Sequence, residues 1–222
     1  MILFDIGANR GDAVVAGLEK GYKVIAVEAA PRVFKQLVCN FIYNPNVVPL
    51  RFAVSDTADQ VIEFYEAEED GLSTMNKDWL TDERLPYAGK PYRTVQARTI
   101  TIDDLALEYG KPDLIKIDVE GAEWSVFKGM TKKYGTLTFE WTDATLDEHQ
   151  KQIKYLADLG YTEVAPQFIL QHLREPYETH WHDIATFNFA EWLLEAAPYW
   201  EEGAWKEARL RPTADVGMCW VR

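Results

Sequence analysis

The chain has 222 residues, of which 47% are hydrophobic and 27% are charged, and its formal net charge is −13. This length and composition are typical of a globular protein and favour a single domain over residues 1–222 with a sizeable core. A surface this acidic repels phosphate backbones, and the basic residues are scattered, so we expect no nucleic-acid partner. No apolar run is long enough to cross a bilayer, so we expect no membrane partner.

Two further features bear on the cellular compartment. The N-terminal residues lack the pattern of a signal peptide, which predicts a cytoplasmic location. Cys39 and Cys219 lie in apolar-patterned segments and have no metal-ligand spacing. We therefore expect both to be buried free thiols, as in a reducing compartment.

Short apolar runs alternate with helical patterns, which is typical of βαβ units and predicts an α/β fold with a parallel sheet. The predicted strands are, in chain order, 2–6, 23–27, 47–54, segments near 62–64 and 94–97, 113–118, 137–140, one within 161–170, and 216–221. The predicted helices are one that ends near residue 20, one that begins at Pro31, 102–109, about 122–130, and one from Thr145 to Gly160 with a capping box formed by Thr145 and Glu148.

The turn from Asp5 to Asp12, with the sequence DIGANRGD, joins the first strand to the first helix. In open parallel sheets, ligands bind at the carboxyl ends of the strands, and this turn contributes to the site. Glu28 ends the second strand, where a carboxylate accepts hydrogen bonds from ribose hydroxyls. The two features together predict a bound nucleoside, whereas a tight turn without a ligand is the alternative.

The charge of this turn distinguishes between cofactors. A dinucleotide needs glycines that make room for its pyrophosphate, but Asn9 and Asp12 occupy the second and third glycine positions. The carboxylate of Asp12, with Asp5 close by, would repel phosphate. S-adenosylmethionine carries an ammonium and a sulfonium and no phosphate, so this turn favours it over a nicotinamide cofactor.

Strand alternation places Lys116 and Asp118 on one face of the strand at 113–118. Charged residues at that depth need a partner or a chemical role. Either they form a structural ion pair with each other or they take part in catalysis.

Several blocks of the sequence, in this order and spacing, resemble the FkbM-type S-adenosylmethionine-dependent methyltransferases over about residues 2–141. The blocks are FDIGANRGD at 4–12, Glu28 with Pro31, AVSD at 53–56, TIDDL at 101–105 and KIDVEGAE at 116–123. The resemblance implies a Rossmann-like class I methyltransferase with a seven-stranded, mostly parallel sheet, an antiparallel last strand and helices on both faces. It also implies O-methylation of a hydroxyl on a sugar, a glycan or a similar small natural product. Family relatives carry Pro at the position of Ala30, one residue before Pro31 here.

We assign the cofactor-binding roles on this basis. Asp5 is placed near the cofactor's ammonium, Glu28 at the ribose, and Ser55 with Asp56 at the adenine, unless these two form a plain turn. The predicted cofactor-binding residues are Asp5, Gly7, Ala8, Asn9, Gly11, Asp12, Glu28, Ala29, Ser55 and Asp56.

The predicted catalytic residues are Asp118, Lys116, Glu120 and Glu140. Asp118 is the first candidate for acceptor positioning or general base, because an alcohol must lose its proton as the new bond forms. Asp118, Glu120 and Glu140 could instead gather one divalent cation such as Mg²⁺, or Glu120 and Glu140 could be solvated or ion-paired.

Residues 174–211 break the pattern and are rich in aromatic residues, including Trp181, Trp192, Trp200 and Trp205. These rings either form a lid over the acceptor or belong to the core. His149 is expected at the surface, and His180 and His182 are either ordinary histidines or a base on that lid. Two other functions stay open: a nicotinamide-dependent oxidoreductase and a non-catalytic domain that binds S-adenosylmethionine. The acceptor's identity and the oligomeric state are not specified by the sequence.

Overall fold

The structure is a computed structural model that describes residues 1–85, 87–168, 173–202 and 216–222. Its strands are β1 Ile2–Ile6, β2 Lys23–Val27, β3 Val47–Leu50, β4 Ala53–Val54, β5 Val61–Ala67, β6 Tyr92–Ile100, β7 Leu114–Ile117, β8 Thr136–Thr142, β9 Glu163–Gln167, β10 His182–Asp183 and β11 Val216–Val221. Its α-helices are α1 Asp12–Glu19, α2 Pro31–Phe41, α3 Asp78–Thr81, α4 Ile102–Tyr109, α5 Glu123–Lys128, α6 Leu146–Asp158 and α7 Phe189–Glu202. None of the described helices combines the length and the apolar character required to cross a membrane.

The main sheet has eight strands in the order β10-β9-β11-β8-β7-β1-β2-β3. β1, β2, β3, β7 and β8 pair in parallel, whereas β11 runs antiparallel to both β8 and β9. The α/β fold class and the antiparallel last strand are therefore confirmed. The predicted count of seven strands is wrong, because the two-residue strand β10 adds an eighth at the edge. A strand this short leaves no alternation in the sequence by which to recognise it.

The predicted third strand, 47–54, is divided between two sheets. Its first half is β3 in the main sheet, and its second half is β4, which pairs with β6 in a three-stranded sheet of order β4-β6-β5. The antiparallel pair β5 and β6 gives the irregular stretch between Val61 and Val95 its structure. This second sheet matters for function because the loop after β5 covers the carboxyl edge of the main sheet.

Three local predictions are wrong: the burial of Cys39, the exposure of His149 and the capping box at Thr145. Cys39 is exposed, not buried: α2 buries Val33 and Leu37, and Cys39 lies about 200° around the helix from Leu37. His149 is buried rather than at the surface, because its ring packs between Phe139 and Phe189.

The capping box at Thr145 is absent although α6 does begin directly after it. The Thr145 hydroxyl is hydrogen-bonded to the ring of His149 instead, at 3.0 Å. The Thr145 side chain therefore hydrogen-bonds to the buried histidine and does not cap the helix.

The aromatic segment is described only in part. The rings of Trp141, Phe168 and Trp192 pack against one another at centroid distances of 5.1–5.5 Å, so Trp192 belongs to the core. Trp181 lies under the guanidinium of Arg222 at 4.1 Å. Residues 203–211, including Trp205, lie outside the described residues, as does the side chain of Trp200.

Candidate active site

A cavity opens at the carboxyl ends of β1, β2 and β7, where Ile6 pairs with both Val27 and Ile117. We call it the first cavity. Nine of the predicted site residues line it: Gly7, Ala8, Asn9, Asp12, Glu28, Ala29, Lys116, Asp118 and Glu120. The residues following three neighbouring strands thus meet at one edge of the sheet, as ligand sites in this class of sheet do.

The floor of the first cavity is a tight turn that requires glycine at its start. Gly7 has φ +75°, and a Cβ built there would lie 1.8 Å from the carbonyl oxygen of Asp118. The turn is held by hydrogen bonds from the Gly7 and Ala8 amides to the carbonyl of Val27, each 3.0 Å. The backbone can approach a ligand here because no side chain intervenes.

Glu28 is buried beside this turn. Its Oε2 accepts a hydrogen bond from the Asn9 amide at 2.9 Å and its Oε1 accepts one from the Ala30 amide at 2.8 Å. Burial raises the pKa of Glu28 to about 6, although the two amides and the charge of Lys116 act in the opposite direction. A carboxylate has about four acceptor positions, so roughly two remain for a ligand in the first cavity.

Lys116 forms the ion pair that the sequence left open. Its Nζ donates to the carbonyl oxygen of Gly7 at 2.8 Å and lies 3.3 Å from Asp5 and 3.4 Å from Asp118. Burial alone would lower the pKa of this lysine, but the charges of Asp5 and Asp118 raise it above its ordinary value. The lysine therefore stays charged and joins β1, β7 and the glycine turn.

Asp118, Glu120 and Glu140 form a half-buried group that we call the carboxylate cluster. One oxygen from each lies within 4.8 Å of the others, and Glu120 accepts a hydrogen bond from the indole N–H of Trp79 at 2.8 Å. The pKa values of Glu120 and Glu140 are raised well above their ordinary range, first by burial and then by the neighbouring carboxylates. Like charges this close favour uptake of a proton or of a cation.

A second cavity lies on the other side of the carboxylate cluster. It is lined by residues from the α3 region and from the segment that connects β8 to α6, among them Asn76, Asp78, Trp79, Asp82, Arg84, Glu123, Glu140, Thr142, Glu148 and His149. Asp118 and Glu120 line the first cavity, whereas Glu140 lines the second. The carboxylate cluster therefore stands where the two cavities meet.

Two buried groups of the second cavity have shifted pKa values. Burial raises the pKa of Glu123 to about 7, while hydrogen bonds from its own amide and from the amide of Val119 act against it. Burial lowers the pKa of His149 to about 4, so its ring is neutral at pH 7. The ring nitrogens of His149 are engaged with the Thr142 amide and with Gln152 at 2.9–3.0 Å.

Four predicted cofactor-binding residues do not line the first cavity: Asp5, Gly11, Ser55 and Asp56. Asp5 is fully buried beneath it beside Lys116. The space next to Gly11 is filled by the ring of Phe41, which a Cβ there would approach to 2.2 Å. Asp56 is ion-paired with Lys128, which lowers its pKa, so this turn is tied to α5.

Sequence reasoning missed the residues that cover the first cavity. Phe52 and Phe64 give it an apolar wall, and Gly71, Ser73 and Met75 come from the loop that follows β5. This loop is held down by Asp70, which pairs with two arginines from the main sheet's helices and turns. Nothing in the spacing of residues 61–95 indicated this, because the loop approaches the site through tertiary contacts. His180, Trp181 and His182, by contrast, line neither cavity.

Comparisons with known proteins give a family match. Residues 5–163 match the family described as "Methyltransferase FkbM domain". The curated protein named hexuronic acid methyltransferase AglP, from Haloferax volcanii, is 28% identical over 141 residues, which cover 62% of this chain and 53% of that protein. The chain thus spans about half the length of this curated relative.

Solved structures that align with the chain are more distant. A precorrin-6y C5,15-methyltransferase from Geobacter metallireducens is 14% identical, with a TM-score of 0.43 over 100% of this chain and 78% of that one. A structure named precorrin 8W decarboxylase, from Methanobacterium thermoautotrophicum, is 10% identical, with a TM-score of 0.44 over 99% of this chain and 79% of that one.

Proposed function

The chain belongs to the FkbM methyltransferase family, and from that premise we propose that it transfers the methyl group of S-adenosylmethionine to a hydroxyl oxygen of a sugar or a similar small natural product. The observation that carries this proposal is the position of the carboxylate cluster between two cavities. One cavity has the features of a nucleoside site, and the other leaves room for an acceptor beside it. The name of the Haloferax relative, a hexuronic acid methyltransferase, supports a sugar as the acceptor class.

The first cavity is proposed to hold S-adenosylmethionine. Glu28 would accept hydrogen bonds from the ribose hydroxyls with the acceptor positions that its two backbone donors leave free. Phe52 and Phe64 would pack against the adenine, in place of the predicted contact with Ser55 and Asp56. The methionine part would then lie over the turn that begins at Gly7.

The charge of this cavity supports the sulfonium cofactor over a nicotinamide dinucleotide. Asp12 is the first residue of α1 and lines the cavity, so its carboxylate occupies the helix N-terminus where a pyrophosphate would bind. A carboxylate there repels phosphate and attracts the cationic parts of S-adenosylmethionine.

The proposed reaction is an in-line displacement. The acceptor oxygen bonds to the methyl carbon, the carbon–sulfur bond breaks with its electron pair going to sulfur, and S-adenosylhomocysteine leaves. The hydroxyl proton passes to the carboxylate cluster. We assign proton uptake to the carboxylate cluster, with Asp118 as the group that accepts the proton and Glu120 and Glu140, whose pKa values are raised, as the neighbours that can share it. Lys116 positions Asp118 and the glycine turn, rather than touching the methyl group.

The same three carboxylates fit a divalent cation of the Mg²⁺ type, which prefers oxygen ligands. Bound there, the cation would acidify the acceptor hydroxyl. A chelator separates the two assignments: activity that survives EDTA supports a shared proton, and activity that EDTA abolishes and Mg²⁺ restores supports a cation.

The test of the function is turnover of methyl-labelled S-adenosylmethionine against a panel of glycosides and nucleotide sugars. We expect label in an ether-linked methyl group and one S-adenosylhomocysteine per methylated product. Binding of S-adenosylmethionine with no product from any acceptor would favour the non-catalytic alternative. Binding of a reduced nicotinamide cofactor in its place, seen as fluorescence quenching, would refute the assignment of the first cavity.

A further inference from the structure

Acidic residues outnumber basic residues in the described lining of the second cavity. Its described lining contains five carboxyl groups and one cation: Asp78, Asp82, Glu123, Glu140 and Glu148 against Arg84. Arg84 is largely exposed and is already paired with Asp82. Once that pair is formed, four carboxyl groups of the described lining remain without a cation of the lining beside them. Burial raises the pKa values of Glu123, Glu140 and Glu148, which reduces but does not reverse the negative character of the lining near pH 7.

The remaining polar groups of this cavity supply no positive charge. His149 is neutral at pH 7 because burial lowers its pKa to about 4. Its neighbours Thr142 and Gln152 are uncharged. Lys151, one turn along α6, interacts with Glu148 but does not line the cavity. An anionic group placed here would meet carboxyls without a free cation to pair with.

We propose that the part of the acceptor that enters the second cavity is uncharged or carries an amine, as in a neutral sugar or an amino sugar, and that a sugar carboxylate is selected against. This inference rests on the proposed function, because it assigns the second cavity to the acceptor of that reaction. Hydroxyls of a neutral sugar can donate to the carboxyls of the lining, and an ammonium can pair with them. A carboxylate offers only acceptors and repels them. The Haloferax relative is named for a hexuronic acid, a sugar that carries a carboxyl group, so the acceptor proposed for this chain differs from the one in that name.

The experiment compares three acceptors that differ at one carbon or one substituent. Protein saturated with S-adenosylhomocysteine is titrated calorimetrically with methyl β-glucoside, methyl β-glucuronide and methyl β-glucosaminide at pH 7.5 and low salt. We expect the glucuronide to bind at least about tenfold more weakly than the glucoside, and the glucosaminide at least as tightly as the glucoside. The discrimination should narrow at about 0.5 M NaCl, since salt screens charges.

A pair of variants ties the effect to the cavity. Glu148→Gln removes one half-buried carboxylate from the lining and should shrink the ratio of glucuronide to glucoside Kd severalfold. Glu19→Gln removes an exposed carboxylate on α1 that lines neither cavity, and should leave the ratio unchanged. An equal response to both variants would mean that net charge, not the cavity, sets the ratio, and would overturn the inference.

The remaining outcomes separate the two proposals. Glucuronide bound as tightly as the glucoside, or more tightly, overturns the inference while leaving sugar O-methylation in place. Absence of binding by all three sugars, together with absence of label transfer to the wider panel, overturns the sugar assignment itself. The KM ratios of turnover with the same three sugars give a second readout that must agree with the Kd ratios.

Discussion

Replacement of Glu28 by glutamine is the sharpest test of the first cavity. Glu28 accepts hydrogen bonds from the amides of Asn9 and Ala30, and its remaining acceptor positions are proposed to hold the ribose hydroxyls. Glutamine keeps the shape but places an NH₂ group where one of the oxygens faces a donor. Hydrogen bonds to a charged group contribute about 1.5–3 kcal/mol each, so weakening two of them should cost about 2–4 kcal/mol. That corresponds to a rise of about thirtyfold to about eight-hundredfold in the Kd of S-adenosylmethionine.

The assay is calorimetric titration of wild type, Glu28→Gln and the surface control Glu19→Gln with S-adenosylmethionine and with S-adenosylhomocysteine. Both ligands contain the ribose, so the Kd of both should rise by the same factor in Glu28→Gln. Neither Kd should change in Glu19→Gln. Thermal unfolding of each variant establishes that it is folded at the titration temperature. A Kd within threefold of wild type in a folded Glu28→Gln protein would refute the assignment of the ribose to this carboxylate.

The pH dependence of binding gives the same carboxylate an independent signature. Burial raises the pKa of Glu28 from 4.5 to about 6, so the group is protonated below pH 6 and loses acceptor positions. Binding should weaken about tenfold at pH 5 relative to pH 7, and Glu28→Gln should abolish that dependence. For stability the sign is opposite: a raised carboxyl pKa means that this group's contribution to folding is lost as pH rises from about 4.5 through 6. Tighter binding at higher pH therefore cannot come from the effect of Glu28 on the stability of the fold.

Three further substitutions test the rest of the site. Asp118→Asn should reduce turnover about a hundredfold or more while leaving the Kd of S-adenosylmethionine within threefold of wild type. Loss of general-base action affects the transition state and not cofactor binding. A fully active variant would contradict the role assigned to the carboxylate cluster. Lys116→Met should lower the free energy of unfolding by about 3–5 kcal/mol in urea titrations, because it leaves Asp5 buried without its cation; a change below about 1 kcal/mol would show that the ion pair is dispensable. Gly7→Ala should lower the melting temperature of the protein more than Gly21→Ala does. Both glycines have positive φ, but only at Gly7 would the added Cβ lie 1.8 Å from a carbonyl oxygen. Equal melting temperatures would count against this steric explanation.

The main sheet could be predicted because its strands are buried on both faces and therefore appear as continuous apolar runs. Ile2–Ile6 and Lys23–Val27 match their predicted bounds residue for residue. The division of 47–54 could not be predicted, because Val54 joins β4 only through its pairing with Ile100, far along the chain. Pairing of this kind is decided by tertiary structure and leaves no local pattern.

The site was predictable where it follows the strand ends and not where it is assembled from distant segments. Gly7, Asn9, Glu28 and Asp118 come directly after β1, β2 and β7, and the topology of a parallel sheet brings those ends together. The second cavity joins the α3 region to the start of α6, which are distant in sequence. The burial of His149 has the same origin, since Phe139 and Phe189 enclose it from β8 and α7.

The proposed reaction accounts for the excess of carboxyls beside a single lysine. When the methyl group leaves, the sulfonium becomes a neutral sulfur, so carboxylates that only attracted the sulfonium would stabilise the substrate more than the transition state and slow the transfer. The acceptor hydroxyl releases a proton in the same step, and the carboxylate cluster takes it. Positive charge therefore moves from sulfur to the cluster instead of vanishing from its neighbourhood. Lys116 pairs with Asp5 and Asp118. The pKa values of Glu120 and Glu140 are raised, so these two neighbours can share the proton that Asp118 accepts from the acceptor hydroxyl.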